Sequence, residues 1–134
     1  TSAVNPDMFK SVVLVYPALS IPATAPAQLK RFDADNGNPQ DVMGMKLGRD
    51  YYAKINGMNI LDMTGKYKGN VLIVYGDKDP VTAGGMMDKA ADTYTRCTKL
   101  MIPGGTHGFP YYEHHEKATK GIIDFILDTM VKTK

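Results

Sequence analysis

Two short stretches carry residue types suited to moving protons. Gly76-Asp77-Lys78-Asp79-Pro80-Val81 follows the apolar run 70–75, and Pro103-Gly104-Gly105-Thr106-His107-Gly108-Phe109 follows the apolar run 98–102. An imidazole on a glycine-flanked loop can take a proton from a nucleophile or a water and give it back near neutral pH. A carboxylate bonded to one ring nitrogen fixes the tautomer of that imidazole and stabilises its protonated form. Asp77 follows Gly76 directly and suits the turn itself. Asp79, two residues on and before a proline, is the better candidate to project toward His107.

These loops need elements to hold them. The runs 11–16, 70–75 and 98–102 are continuous, apolar and rich in β-branched residues. That pattern predicts strands of a parallel sheet buried on both faces. A helix is expected over 84–94, where Met86, Met87, Ala90 and Ala91 form an apolar stripe. A second is expected after Tyr111, with Ala118, Ile122, Phe125, Ile126 and Met130 on one face and lysines at its end. Strand, helix, strand, helix is the α/β pattern. Open sheets of this kind bind ligands outside the carboxyl ends of their strands. Neighbouring strands lie about 5 Å apart, so an aspartate on one loop can reach a histidine on the next.

The middle of the chain reads differently. Residues 17–28 contain Pro17, Pro22 and Pro26 and are expected to form neither a regular helix nor a central strand. Residues 33–39 are turn-rich, a short hairpin is expected near 41–48, and helical pieces near 49–56 and 59–66. The region of about 20–60 is thus an excursion from the sheet. The strand 11–16 falls at or near a sheet edge, and an apolar edge invites pairing with another chain.

The stretches VLIVYGDKDPV and IPGGTHGF, with Asp79 and His107 in this order, resemble the acid and histidine elements of the α/β-hydrolase fold. The segment HEKATKGIIDFILDTM is similar to that family's last helix, and NPDMFKSVVLVYPALSIP to the strand after the nucleophile's helix. Within the family, the short insertion and the GDKDPV loop resemble those of small bacterial carboxylesterases, feruloyl (cinnamoyl) esterase-like enzymes among them. The resemblance implies that residues 1–134 are the C-terminal part of one α/β-hydrolase domain. On this reading they hold its last three strands, a lid-type insertion at about 20–60, and the acid and histidine loops within 70–134. It implies Asp79 as triad acid, His107 as triad base, a small-molecule ester as substrate and no cofactor.

The family's nucleophile sits in a Gly-x-Ser-x-Gly elbow, and no such motif occurs here. No strand precedes Ser2, Ser11 starts a strand, and Ser20 lies in the proline-rich stretch after it; none of these serines sits in the elbow motif. The serine is therefore expected in an N-terminal half outside these residues. The strand 11–16 would pair with that half or with a second copy of the chain.

A rival reading takes Asp77-x-Asp79 as the aspartyl-phosphate motif of a haloacid-dehalogenase-like phosphatase, but the extra Gly76 and the lack of a later acidic pair fit it poorly. A non-catalytic half-domain serving assembly is the other alternative. The carboxylates lack the further ligands of a calcium loop, and His114 and His115 lack zinc spacing. Met43, Met45, Met58 and Met63 suit either an acyl pocket or core filling. Phe109, Tyr111 and Tyr112 suit either substrate contact or packing.

Composition narrows the partners. A net charge of +2, with scattered lysines, argues against nucleic acid or an anionic membrane. No apolar run approaches the roughly 20 residues of a membrane span, and the first ten residues lack a signal pattern. The single cysteine, Cys97, allows no internal disulfide and suits a reducing, cytoplasmic compartment. It lies outside any glycine turn and is a poor nucleophile.

Overall fold

The apolar runs form a parallel three-stranded sheet. In the computed structural model, which describes residues 2–42, 44–82 and 85–131, β1 (Ser11–Val15) pairs with β4 (Asn70–Gly76), which pairs with β5 (Arg96–Ile102). The spatial order is β1-β4-β5. The expected burial on both faces holds for the central strand alone. Val71 to Val74 of β4 are buried, whereas β1 is half-buried throughout and β5 exposes Arg96, Thr98, Lys99 and Met101. The cause is position, since β1 and β5 are the two edges of this sheet.

Two helices flank the sheet. α4 (Met86–Thr93) packs on β4 and β5 with Met87 and Ala90 buried. It begins after Gly85, whose φ of 70° suits a glycine; the predicted start at Gly84 lies outside the described residues. α5 (Tyr112–Val131) contacts all three strands. Leu72, Val74, Ile102, Phe109 and Ala118 form its core, with Val13, Val15, Tyr16, Leu100, Ile122 and Phe125 packed around them. Each fully buried side chain of this kind contributes about 1.5–3 kcal/mol. Gly121 sits in mid-helix, at a propensity cost of about 1 kcal/mol. A Cβ there would strike the Leu100 side chain, so glycine lets helix and strand approach.

The predicted apolar stripe of α5 is buried only in its first half. Ile126 and Met130 are exposed, as are Ile123, Leu127 and Val131. Ile123 lies on the outer face with Tyr112, His115 and Thr119; for Ile126 and Met130, on the predicted stripe, the reason is length. A 20-residue helix runs about 30 Å, while seven-residue strands span about 23 Å. The last turns of α5 extend past the sheet that its first turns cover.

By internal contacts the chain divides into two compact units, one of residues 1–18 and 61–134 and one of Leu19–Ile60. The second contains α1 (Ile21–Ala34), a hairpin of β2 (Gln40–Val42) and β3 (Met45–Leu47), and α2 (Arg49–Ile55). The hairpin and α2 appear where expected, as does α3 (Ile60–Thr64). The expectation that 17–28 could not be helical is wrong from Ile21 onward. Pro22 occupies the first turn, where an amide N–H has no helical partner to lose. Pro26 lies one turn later and removes a single bond near the helix start. Against that loss, α1 buries Ala25 and Phe32 against Tyr52, with Leu29, Leu47 and Ile55 around them. The Phe32 and Tyr52 rings meet at a tilt of 47° with centroids 5.7 Å apart, and Arg49 Nε donates to Asp33 Oδ1 at 2.9 Å.

Candidate active site

The strand register sets the site. Gly76, the last residue of β4, pairs with Ile102, the last of β5. Tyr16, the first residue past β1, donates its N–H to Val74 O at 2.7 Å. Three chain segments therefore leave the sheet side by side at its carboxyl edge.

The acid and histidine loops are bonded to one another directly. Lys78 N–H donates to Gly105 O at 3.0 Å, and Gly104 N–H donates to Asp77 Oδ1 at 2.6 Å. Asp77 thus belongs to the turn, as its position beside Gly76 suggested. Gly76 and Gly105 touch backbone to backbone. A Cβ on Gly76 would overlap the Gly105 carbonyl, and a Cβ on Gly105 would lie 3.1 Å from Gly76 Cα. Only residues without a Cβ permit this approach.

Asp79 and His107 meet across that joint. His107 Nδ1 lies 3.0 Å from Asp79 Oδ2. The Asp79 side chain is fully buried, while that of His107 is 32% exposed. Asp79 Oδ1 accepts the Val81 N–H at 2.8 Å, closing an Asx turn across Pro80. Thr82 Oγ1 donates to the Asp79 carbonyl at 3.4 Å. A buried carboxylate without such donors would be strongly destabilising; here both oxygens are occupied. An ionised carboxylate only accepts, so with Asp79 ionised and the imidazole neutral Nδ1 would carry the proton and Nε2 the lone pair. The arrangement can take a proton at Nε2 and stabilise the cation that results.

Tyr16, a residue that sequence reasoning did not single out, lies against His107 as well. Its ring meets the imidazole edge-on, with centroids 4.9 Å apart at 63°. It meets Phe109 in the same manner at 5.5 Å. One signal was available: an aromatic between a strand's end and Pro17, on the edge where ligands bind.

The other candidates are distributed elsewhere. Phe109 is buried in the core below the histidine loop, while Tyr111 and Tyr112 are exposed. Met45 and Met58 are exposed and Met63 is half-buried; Met43 lies outside the described residues. Ser11 opens β1 at the end of the sheet opposite His107, and Ser2 lines the same hollow as Ser11. Burial pushes the Cys97 thiol up from its ordinary value, away from the reactive thiolate. The two carboxylates of the phosphatase pattern are engaged separately, Asp77 through Oδ1 with the Gly104 amide and Asp79 with His107 and Val81.

No family model and no curated protein matches the sequence. Solved structures do. The chain superposes on Est1E from Butyrivibrio proteoclasticus with a TM-score of 0.84 and 29% identity, over 97% of this chain and 55% of that one. Est1E with ferulic acid bound gives a TM-score of 0.82 and 26% identity, over 97% and 53%. The esterase PF2001 of Pyrococcus furiosus matches at 0.57 and 13%, over 96% and 48%. The chain spans about half the length of these proteins. Over the part that it spans, the chain has the α/β-hydrolase fold of these esterases.

Proposed function

We propose that the chain supplies the acid and the base of a serine hydrolase acting on carboxylic esters. The observation that carries this reading is the 3.0 Å contact between His107 Nδ1 and the buried Asp79 carboxylate at the carboxyl edge of a parallel sheet. The nucleophilic serine belongs to a further segment of the fold, which also provides the oxyanion-hole donors. His107 Nε2 takes the hydroxyl proton as the serine oxygen bonds to the acyl carbon. The same proton passes to the alkoxy oxygen as the carbon–oxygen bond to the alcohol breaks. A water then repeats the sequence, with His107 returning its proton to the serine oxygen as the acid departs. Asp79 holds the tautomer throughout. The likeness to a structure holding ferulic acid supports a hydroxycinnamoyl ester as substrate.

The same reading makes β1 the strand on which the rest of the sheet pairs. The two edges differ in character. β5 carries Arg96 and Lys99, charges that discourage pairing, while Ser11-Val12-Val13-Leu14-Val15 carries none. A second copy of the chain is the competing occupant. Among the described residues no helix is long and apolar enough to cross a membrane; a cytoplasmic location is in keeping with the single cysteine.

Complementation tests the reading. The chain is combined with a segment bearing a Gly-x-Ser-x-Gly elbow and the oxyanion loop, and hydrolysis of methyl ferulate and p-nitrophenyl acetate is followed. Turnover should require both parts and vanish with His107→Ala. Turnover that survives this substitution removes His107 from its role.

A further inference from the structure

We propose that Tyr16 is a positioning residue for His107, limiting the rotation of the imidazole that Asp79 holds at Nδ1. Its backbone is the first observation. Tyr16 has φ of 37°, in the left-handed region that a tyrosine enters only at a cost of about 1–2 kcal/mol. Such a conformation persists where the surroundings over-determine it. Here they do so at both ends of the residue. The N–H is fixed by Val74 O at 2.7 Å, which extends the ladder one residue past β1. The ring contacts both His107 and Phe109. Phe109 is itself left-handed, with φ of 49°, and is buried in the core under α5.

The second observation is what His107 would otherwise be free to do. A single hydrogen bond at Nδ1 leaves the ring able to swing about its two side-chain torsions. With 32% of its side chain exposed, water can compete for that bond. On this proposal the contact with the Tyr16 ring limits the swing, and aromatic pairs of this geometry add about 0.5–1.5 kcal/mol. The backbone turn at Tyr16 is what brings the ring to this place. The direction of Nε2 is therefore set by β1 as well as by β4 and β5. The catalytic meaning of this role rests on the proposed hydrolase reading, but the positioning is measurable on the chain as it stands.

The test uses imidazole 15N shifts of His107, which report the tautomer and are little moved by ring currents. In the unsubstituted chain, with the ring neutral, they should show one tautomer with the proton on Nδ1. Tyr16→Phe should keep that pattern. Tyr16→Gly relieves the backbone strain and removes the ring; it should leave the backbone spectrum folded while the two nitrogens shift toward tautomer averaging. Tyr16→Leu restores volume without an aromatic edge and serves where the glycine variant does not fold; the same averaging is expected. Wild-type 15N shifts in both Tyr16→Gly and Tyr16→Leu would overturn the proposal. In the complemented enzyme, misaiming His107 should lower kcat about 10- to 100-fold, with Tyr16→Phe near wild type. Tautomer averaging together with turnover independent of His107 would sink the hydrolase reading and leave the positioning role standing.

Discussion

Asp79 spends one oxygen on His107 and the other on the Val81 amide, so replacing it has a defined outcome. Asp79→Asn keeps the shape but puts a donor where an acceptor stood, which favours the wrong imidazole tautomer. Turnover of the complemented enzyme should fall by about 10⁴, as in other triads, with the thermal midpoint changed far less than for Asp79→Ala. Gly76→Ala drives a methyl into the Gly105 backbone. It should destabilise by about 1–3 kcal/mol, read from urea unfolding, and weaken the Asp79–His107 contact seen by 15N shifts. Cys97 gives a third check. Burial raises its thiol, so the thiolate fraction at neutral pH is below that of free cysteine. Alkylation by iodoacetamide should be slower than for free cysteine and accelerate in urea; an equal rate in the native chain would contradict the burial. That an aspartate of the first loop meets His107 was legible from strand order and loop composition, and the choice of Asp79 leaned on the family resemblance as well. Tyr16 was not, because its part depends on a backbone turn of φ 37° that no residue type signals when the residue is neither glycine nor asparagine.

The elements that hold these residues were readable wherever burial and pattern agree. The three strands and α4 follow from apolar runs and a helical stripe, with boundaries off by one or two residues. The proline-rich stretch shows why local rules fail. Pro22 and Pro26 argue against a helix in isolation, but their penalty falls at the start of α1, while Phe32 lies in its last turn against Tyr52. Burial between elements outweighs propensity within one. Phe32→Ala should therefore cost about 3–5 kcal/mol and remove helical signal belonging to α1 and α2 together, followed by circular dichroism during urea unfolding. Retention of that signal would mean that α1 stands without its core. The exposed half of α5 was missed for a related reason, since periodicity marks a face but not the length of sheet available to cover it.

For the molecule as a whole, the proposed pairing through the uncharged edge of β1 is open to a direct test. Val12, which lines a hollow with Ser11 and Leu14, is the place to test it. Val12→Lys should weaken association through this edge at least about tenfold, or about 1.4 kcal/mol, in sedimentation equilibrium. Unchanged association would place the contact elsewhere. The register carries one more consequence, this time for the order of events during folding. The chain between Ser11 and Asn70, which pair in β1 and β4, is roughly twice as long as that between Asn70 and Arg96, which pair in β4 and β5; each doubling of a loop adds about 0.6 kcal/mol of closure entropy. The β4-α4-β5 segment is thus the cheaper nucleus, and pulse-labelled amides in β4 and β5 should gain protection against the solvent before those of β1. The carboxylate and the imidazole are brought together while the first strand is still searching for its place.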